Sequence, residues 1–405
     1  MANISSKDIE NNSTSFLIQQ LSMHKITSSR LLKNTLSATD KFISKNNSTI
    51  IEKFESSATE SAINSDISLL TDSLTKSNQC SKLCGVPISI YSSDKNKENQ
   101  YLIDKINRLG AVLFAIIKEI PTYNVDLSSF KFLTENEKFQ SSFSIGAAAA
   151  SINSGVGTIC LGQDIDASFR LQAAIFGLVG FKPSSRYNNL IPQKLSTYGV
   201  ITNRVSDAKI IFSSIWDNVK NSEPANSSMT QPTAFNSLAH RVIISENLDR
   251  VNLSDDVRLA FRKAINHLKT SGYDVINDIP NLIDKNICGH IPPLSAQQIN
   301  KSYNEMFERN SSSIFITPSI SSNDFRVTNR KKSTERSASY LSSIDSLGLF
   351  FYDSTIIGLP SCTVPVALGK NKQPISLHIT GPIGSDKEVL ETSQVIEAII
   401  DLENI

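Results

Sequence analysis

Over the first sixty residues, apolar side chains recur at helical spacing. Phe16, Leu17, Ile18 and Leu21 mark one helix, and Leu31, Leu32, Leu36 and Phe42 a second over Thr27 to Ile43. Thr27-Ser28-Ser29 supplies hydroxyls to cap the second. Ser57 to Ala62 continues the pattern, so residues 1–75 read as N-terminal helices packing on the rest of the domain. The period then changes. Val86, Ile88 and Ile90 alternate with shorter residues and end at Tyr91, a strand with Pro87 near its start, where a missing N–H is tolerated. Leu102, Ile103 and Ile106 give a helix, Gly110 a stop, and Ala111 to Ile117 a second apolar strand.

The densest information lies between Ser141 and Pro183. Gly146 to Ser151 predicts a helix of small side chains held close to a neighbour. Ile159, Cys160 and Leu161 predict a short buried strand ending in a turn at Gly162, and a helical run then closes at Gly177. Ser168 falls at the loop-to-helix junction, which has two readings. Serine is a favoured helix cap. The unpaired N–H groups of a helix start also stabilise an oxyanion, so a serine there serves as a nucleophile if a neighbour takes its proton.

This segment resembles the signature region of the amidase-signature family. That region runs through Gly-Gly-Ser-Ser-Gly-Gly, an alanine-rich helix, a Leu-Gly-Thr-Asp turn, Gly-Gly-Ser-Ile-Arg and a closing Gly-Leu-Lys-Pro. The resemblance implies an α/β fold with a large mixed central sheet flanked by helices on both faces, spanning residues 1–405 as one domain. It also implies a Ser, cis-Ser, Lys site for amide hydrolysis. Ser168 falls on the nucleophile, Ser144 on the bridging serine, Asp164 and Arg170 on the supporting pair, and Gly180-Phe181-Lys182-Pro183 on the close. The N–H groups from Ile165 through Asp166 and Ala167 to Ser168 would form the oxyanion hole.

The departures from the pattern concern chemistry. The family strand Gly-Ile-Pro-Ile-Ala-Ile-Lys-Asp corresponds to Gly85 through Ser92, and Tyr91 stands where the lysine base belongs. Lys95 and Lys97 follow in a polar run, as solvated amines. The glycine pair before the nucleophile is Asp166-Ala167, which sets a carboxylate beside a developing negative charge. The connection from Tyr91 to Ser144 is short for the family. These changes imply an inactive or strongly impaired amide hydrolase-like subunit. The alternatives are an active amidase or amidotransferase A-type subunit working through Ser168, and an acyltransferase using the same serine.

Beyond the signature, Ser206 reads as the cap of a helix with Ala208, Ile211 and Phe212 on its apolar face. Residues 221–233 read as a linker-like surface loop. Ser254, Asp255 and Asp256 open a further helix that Gly272 ends, Gly358 to Val366 and Pro374 to Ile379 form a closing hairpin, and Glu388 to Leu402 is the last helix.

Composition narrows the picture. With 40 basic and 39 acidic side chains the net charge is +1, which gives no field for nucleic acid or anionic lipid. Arg326, Arg330, Lys331, Lys332 and Arg336 cluster loosely without interleaved aromatics, so tRNA contact is expected only through a partner complex. Five scattered cysteines suit a reducing compartment, and no metal or other cofactor is expected. Without a membrane-length apolar run or a leader pattern, the expected location is cytoplasmic, an organelle matrix being the alternative. The expected partners are a second subunit or a second copy, with a small amide as substrate of an active site. The histidines at 24, 240, 267, 290 and 378 carry no local serine or carboxylate motif, which argues against a Ser-His mechanism.

Overall fold

The computed structural model describes residues 13–45, 49–92, 100–119, 125–126, 140–141, 146–164, 167–185, 197–216, 240–249, 251–282, 296–322, 350–370 and 372–401. The chain divides into two compact units, Met1–Gln163 with Tyr198–Ser222, and Asp164–Thr197 with Glu223–Ile405. Lys95, Lys97, the loop 221–233 and the basic cluster from Arg326 to Arg336 lie outside the described residues.

The first unit is built on strands β1 (Thr49–Lys53), β2 (Pro87–Tyr91) and β3 (Val112–Glu119). The two-residue strands β4 (Val125–Asp126) and β5 (Gln140–Ser141) pair only with each other. With β6 (Ile159–Asp164) and β8 (Thr197–Thr202), the order is β1-β3-β2-β6-β8. β1 runs antiparallel to β3, whereas β2 is parallel to both β3 and β6. A strand paired on both edges is shielded from water, and all five residues of β2 are buried, Ser89 included. Gly162 lies inside β6, opposite Tyr91, and not in a turn after it; pairing on both sides outweighs glycine's poor strand preference.

Three helices precede or follow β1: Thr14–Ser22, Ser28–Lys45 and Glu55–Thr75. The second is capped twice. Thr27 Oγ1 accepts from the Arg30 N–H at 3.2 Å, and the Asp66 carboxylate takes the N–H groups of Ser28 and Ser29 at 2.5 and 3.1 Å. Asp207 does the same for the first helix, accepting from Thr14 and Ser15 at 2.9 Å each. Placing a carboxylate on orphan N–H groups satisfies donors and complements the helix dipole together. Asp207 sits in the helix Val205–Ile215, whose cap residue is Arg204; Ser206 is inside the first turn and no side chain caps that helix. The small helix Ala147–Asn153 is buried from Ala147 to Ile152, as its alanines predict.

The second unit holds β7 (Val179–Lys182), β9 (Arg241–Ile244), β10 (Asp274–Asn277), β11 (Phe315–Pro318), β12 (Ser361–Leu368) and β13 (Pro374–Thr380). Their order is β7-β12-β13-β11-β9-β10. β12 and β13 form the anticipated antiparallel hairpin, with a register shift between Pro365 and Ala367 where the proline lacks a ladder donor. β9 is parallel to β10 and β11. Ile243, Val257, Phe307, Phe315, Leu359 and Ile375 form the heart of this core. The helix Asp255–Thr270 begins after Ser254, as the sequence predicts, but the serine hydroxyl makes no capping bond. The last helix, Asp386–Asp401, buries Val389, Leu390 and Ile396.

Candidate functional site

β6 ends at Asp164, and the helix Ser168–Phe176 begins after Ala167, whose φ of 64° is left-handed. Ser168 is thus the first helical residue and not the cap. The capping role is taken by Asp164, which is fully buried and accepts the Phe169 N–H at 3.3 Å. Its other oxygen receives Arg170 Nε at 2.5 Å. The helix closes at Gly177 with φ 67°, its N–H bonding the Ala173 carbonyl. Gly180 lets β7 approach: a Cβ there would stand 2.7 Å from Ala173 Cβ and 3.1 Å from Arg170 Cα.

Arg170 is wholly enclosed. Nη1 donates to Ser354 Oγ at 3.0 Å and Ser361 Oγ at 2.8 Å, and Nη2 to Thr355 Oγ1 at 2.6 Å. The guanidinium carbon lies 5.4 Å from the Phe351 ring centroid. A buried ion pair is tolerable only when its other polar groups are satisfied, and hydroxyls here take three of the four N–H groups left on the guanidinium. Ser354 and Thr355 come from the helix 350–356 and Ser361 from the start of β12. Asp164 is therefore tied to the first turn of the helix by its caged arginine.

Two further titratable groups belong to this region. Lys182 is fully buried and donates to the carbonyls of Leu359 at 2.5 Å and Pro183 at 3.3 Å. Burial, with repulsion from Arg170, draws its pKa down to about 7. His378 is buried against the Phe351 ring, with centroids 4.7 Å apart, and has Thr380 Oγ1 3.3 Å from Nε2. Burial first, then the charges of Arg170 and Lys182, hold its pKa well below 6.5. Both groups bind a proton more readily in the unfolded chain, so their contribution to stability rises with pH. His378 contributes fully above about pH 6.5 and progressively less below it; Lys182 adds a rising contribution from about pH 7 to 10.5. Urea unfolding followed against pH is expected to show both rises, and His378→Gln to flatten only the acidic one. A wild-type profile flat from pH 5 to 7 would contradict this.

Tyr91 is the last residue of β2, buried and paired in register with Gly162. Ser89 on the same strand donates to the Ile159 carbonyl at 3.2 Å. Of the sequence-predicted residues, Asp164 and Arg170 are brought into direct contact, Ala167 adopts the turn conformation, and Ser168 starts the helix. Ser144, Ile165 and Asp166 lie outside the described residues. Sequence reasoning did not find Ser354, Thr355 and Ser361, nor the burial of Lys182. The hydroxyls are 184 to 191 positions from Arg170, beyond any local pattern. The signal available was the arginine itself, since a buried guanidinium implies acceptors somewhere.

Two buried thiols, Cys160 and Cys362, offer no competing nucleophile. Burial pushes Cys160 and Cys362 up to about 12, where the reactive thiolate is scarce at neutral pH. Among the described residues no three His, Cys, Asp or Glu side chains gather as metal ligands, and no helix is long and apolar enough to cross a membrane.

Helices packed with mixed strands, and a buried aspartate–arginine pair beside the end of a strand, define a mixed α/β protein. Residues 141–286 match the Amidase family model. Over 144 residues the chain is 38% identical to the A-type subunit of a glutamyl-tRNA(Gln) amidotransferase from Campylobacter lari. That stretch covers 33% of this chain and 31% of the relative, so the match spans about a third of the relative's length. Among solved structures, a bacterial aryl acylamidase of the amidase-signature enzymes aligns with a TM-score of 0.72 over 97% of both chains, at 16% identity. The A-type subunit of a glutamyl-tRNA(Gln) amidotransferase from Thermotoga maritima aligns at 0.63, over 96% of this chain and 95% of that one, also at 16% identity. At such identities the likeness is one of fold.

Proposed function

We propose that this chain is an amidase-signature protein whose amide-hydrolysing site has lost its base, and that it serves as an A-type subunit with little or no hydrolytic activity. The observation that carries this reading is Tyr91 at the buried end of β2, where the resemblance calls for lysine. In a Ser, cis-Ser, Lys site a neutral amine draws the nucleophile's proton through the bridging serine. A tyrosine there offers a phenol in place of the amine lone pair that such a mechanism uses. Ser168 would be the nucleophile, Ser144 the relay, and the N–H groups from Ile165 to Ser168 the oxyanion hole, with Asp164 and Arg170 retained as support. Asp166 adds a negative charge beside that hole.

The partnership follows from the same relatives, which are named as subunits of glutamyl-tRNA(Gln) amidotransferases. A partner subunit, with tRNA bound only through the assembly, fits a chain of net charge +1 better than direct nucleic-acid binding. A cytoplasmic location suits the scattered free thiols. The test is turnover of a chromogenic anilide and of glutamine by purified protein. Wild type is expected to fall within about threefold of Ser168→Ala, because loss of a base costs on the order of 10⁴-fold or more in serine hydrolases. Turnover a hundredfold above the Ser168→Ala variant would replace this reading with that of an active amidase.

A further inference from the structure

The connection between the helix Glu55–Thr75 and β2 holds two cysteines, Cys80 and Cys84. Each is fixed from a different side. The Asp72 carboxylate, on the last turn of the helix, accepts from the N–H groups of Gln79, at 2.7 Å, and of Cys80. Further on, the Cys84 N–H bonds the Ser81 carbonyl at 3.1 Å, and the Ser81 hydroxyl ties that turn to the Leu109 carbonyl at 2.6 Å. The chain thus folds back on itself, and the Cys80 and Cys84 side chains, both free thiols, stand in hydrogen-bonding contact. Cys80 is half-buried and reachable from solution, whereas Cys84 is buried. Cys84 also lines a cavity of about 480 Å³ with Ser65, Asn107, Gly110 and Leu113, which leaves space beside its sulfur for the rotation that bond formation needs.

We propose that Cys80 and Cys84 form an oxidation site, closing to a reversible disulfide when a peroxide reaches Cys80. The Cys80 thiolate attacks one peroxide oxygen, the O–O bond breaks, and hydroxide leaves, giving Cys80 sulfenic acid. The Cys84 sulfur then attacks the Cys80 sulfur and expels its oxygen, which departs as water with the Cys84 proton. Two thiols are oxidised, and one peroxide is reduced to two waters. Exposure assigns the roles: the half-buried thiol meets the oxidant and the buried one resolves it. Burial, and after it the charge of a Cys80 thiolate, pushes Cys84 up to about 12, and conversion of Cys80 to sulfenic acid removes the second of these causes. In a reducing compartment such a bond is transient, so the pair responds to oxidant and is not a staple of the fold. Gly85 follows directly, its N–H on the Gly110 carbonyl at 2.8 Å, so the bond closes at the root of β2.

The test exposes the reduced full chain to hydrogen peroxide, blocks the remaining thiols with N-ethylmaleimide, and maps the product with trypsin, which cuts after Lys82, between the two cysteines. Peptides 77–82 and 83–95 are expected to emerge joined by a disulfide in more than half of the chains, and dithiothreitol to restore both thiols. Cys84→Ser should abolish the joined pair and leave Cys80 to advance to sulfinic acid. Phenylarsine oxide, which bridges neighbouring thiols, reads the pair without oxidation. Native wild type should bind it at least tenfold tighter than either Cys80→Ser or Cys84→Ser, with circular dichroism verifying that each variant folds. Cys80 joined instead to Cys288 or to a second chain, or carried to sulfinic acid in wild type, would overturn the proposal. So would arsenical binding equal in wild type and both variants.

Discussion

Replacing Arg170 with methionine is expected to lower the unfolding free energy by about 3–5 kcal/mol, the usual cost of leaving one member of a buried ion pair alone. Asp164 would lose its ion-pair partner in a site with no exposure at all, and Ser354, Thr355 and Ser361 would each lose the guanidinium they accept from. Methionine fills much of the volume, so lost packing is a minor part of the effect. Arg170→Lys retains the charge but not the fork, and a single ammonium cannot reach Asp164 and three hydroxyls in the same geometry. It should fall between wild type and Arg170→Met. Adding Asp164→Asn to Arg170→Met should recover part of the loss, because the orphaned charge is gone, and the non-additivity measures the pair. Urea denaturation followed by circular dichroism reads all five proteins, Asp164→Asn alone included. A loss under about 1 kcal/mol in Arg170→Met would mean that the cage holds nothing in place.

That arginine also marks where the sequence stops being legible. Helices with strong periodicity were readable because burial of one face enforces the spacing: Leu31, Leu32 and Phe42 are all buried as predicted. The closing hairpin was legible through the family resemblance of Gly358 to Val366 and Pro374 to Ile379. β1 was missed because Thr49–Lys53 is a five-residue segment whose pattern is set by its antiparallel partner β3 and not by anything local. The helix Glu55–Thr75 is much longer than Ser57 to Ala62 suggested, since its outer face carries exposed Ile67, Leu70 and Leu74 where solvated residues are usual. Three capping assignments turned on the same point. Ser168, Ser206 and Ser254 are the residue type that caps helices, but at Ser168 a carboxylate from the preceding strand takes the N–H, and at the other two the hydroxyl makes no capping bond. Spacing names the candidate; which group reaches the orphan donor depends on tertiary approach.

At the site, the aspartate and arginine could be read as a pair, but not what the arginine was for. The acceptors that let a guanidinium stay charged without water come from a helix and a strand far along the chain. Lys182 looked like part of a closing tetrapeptide and proves to be a buried amine whose pKa is drawn to about 7. It is bonded to two carbonyls, so it reinforces the turn after β7 and is not presented as a free base.

The second large effect concerns Ser168, and with it the claim that the scaffold of an amidase outlasts its base. Intact-mass analysis after exposure to a fluorophosphonate probe measures the reactivity of that serine without presuming a substrate. A serine lacking its base should be slower by a factor on the order of 10⁴ or more than one in a working site. Wild type is therefore expected to take up no more probe than Ser168→Ala over an hour. Near-stoichiometric labelling of wild type that Ser168→Ala abolishes would contradict the account, for it would show that a proton acceptor still serves this serine.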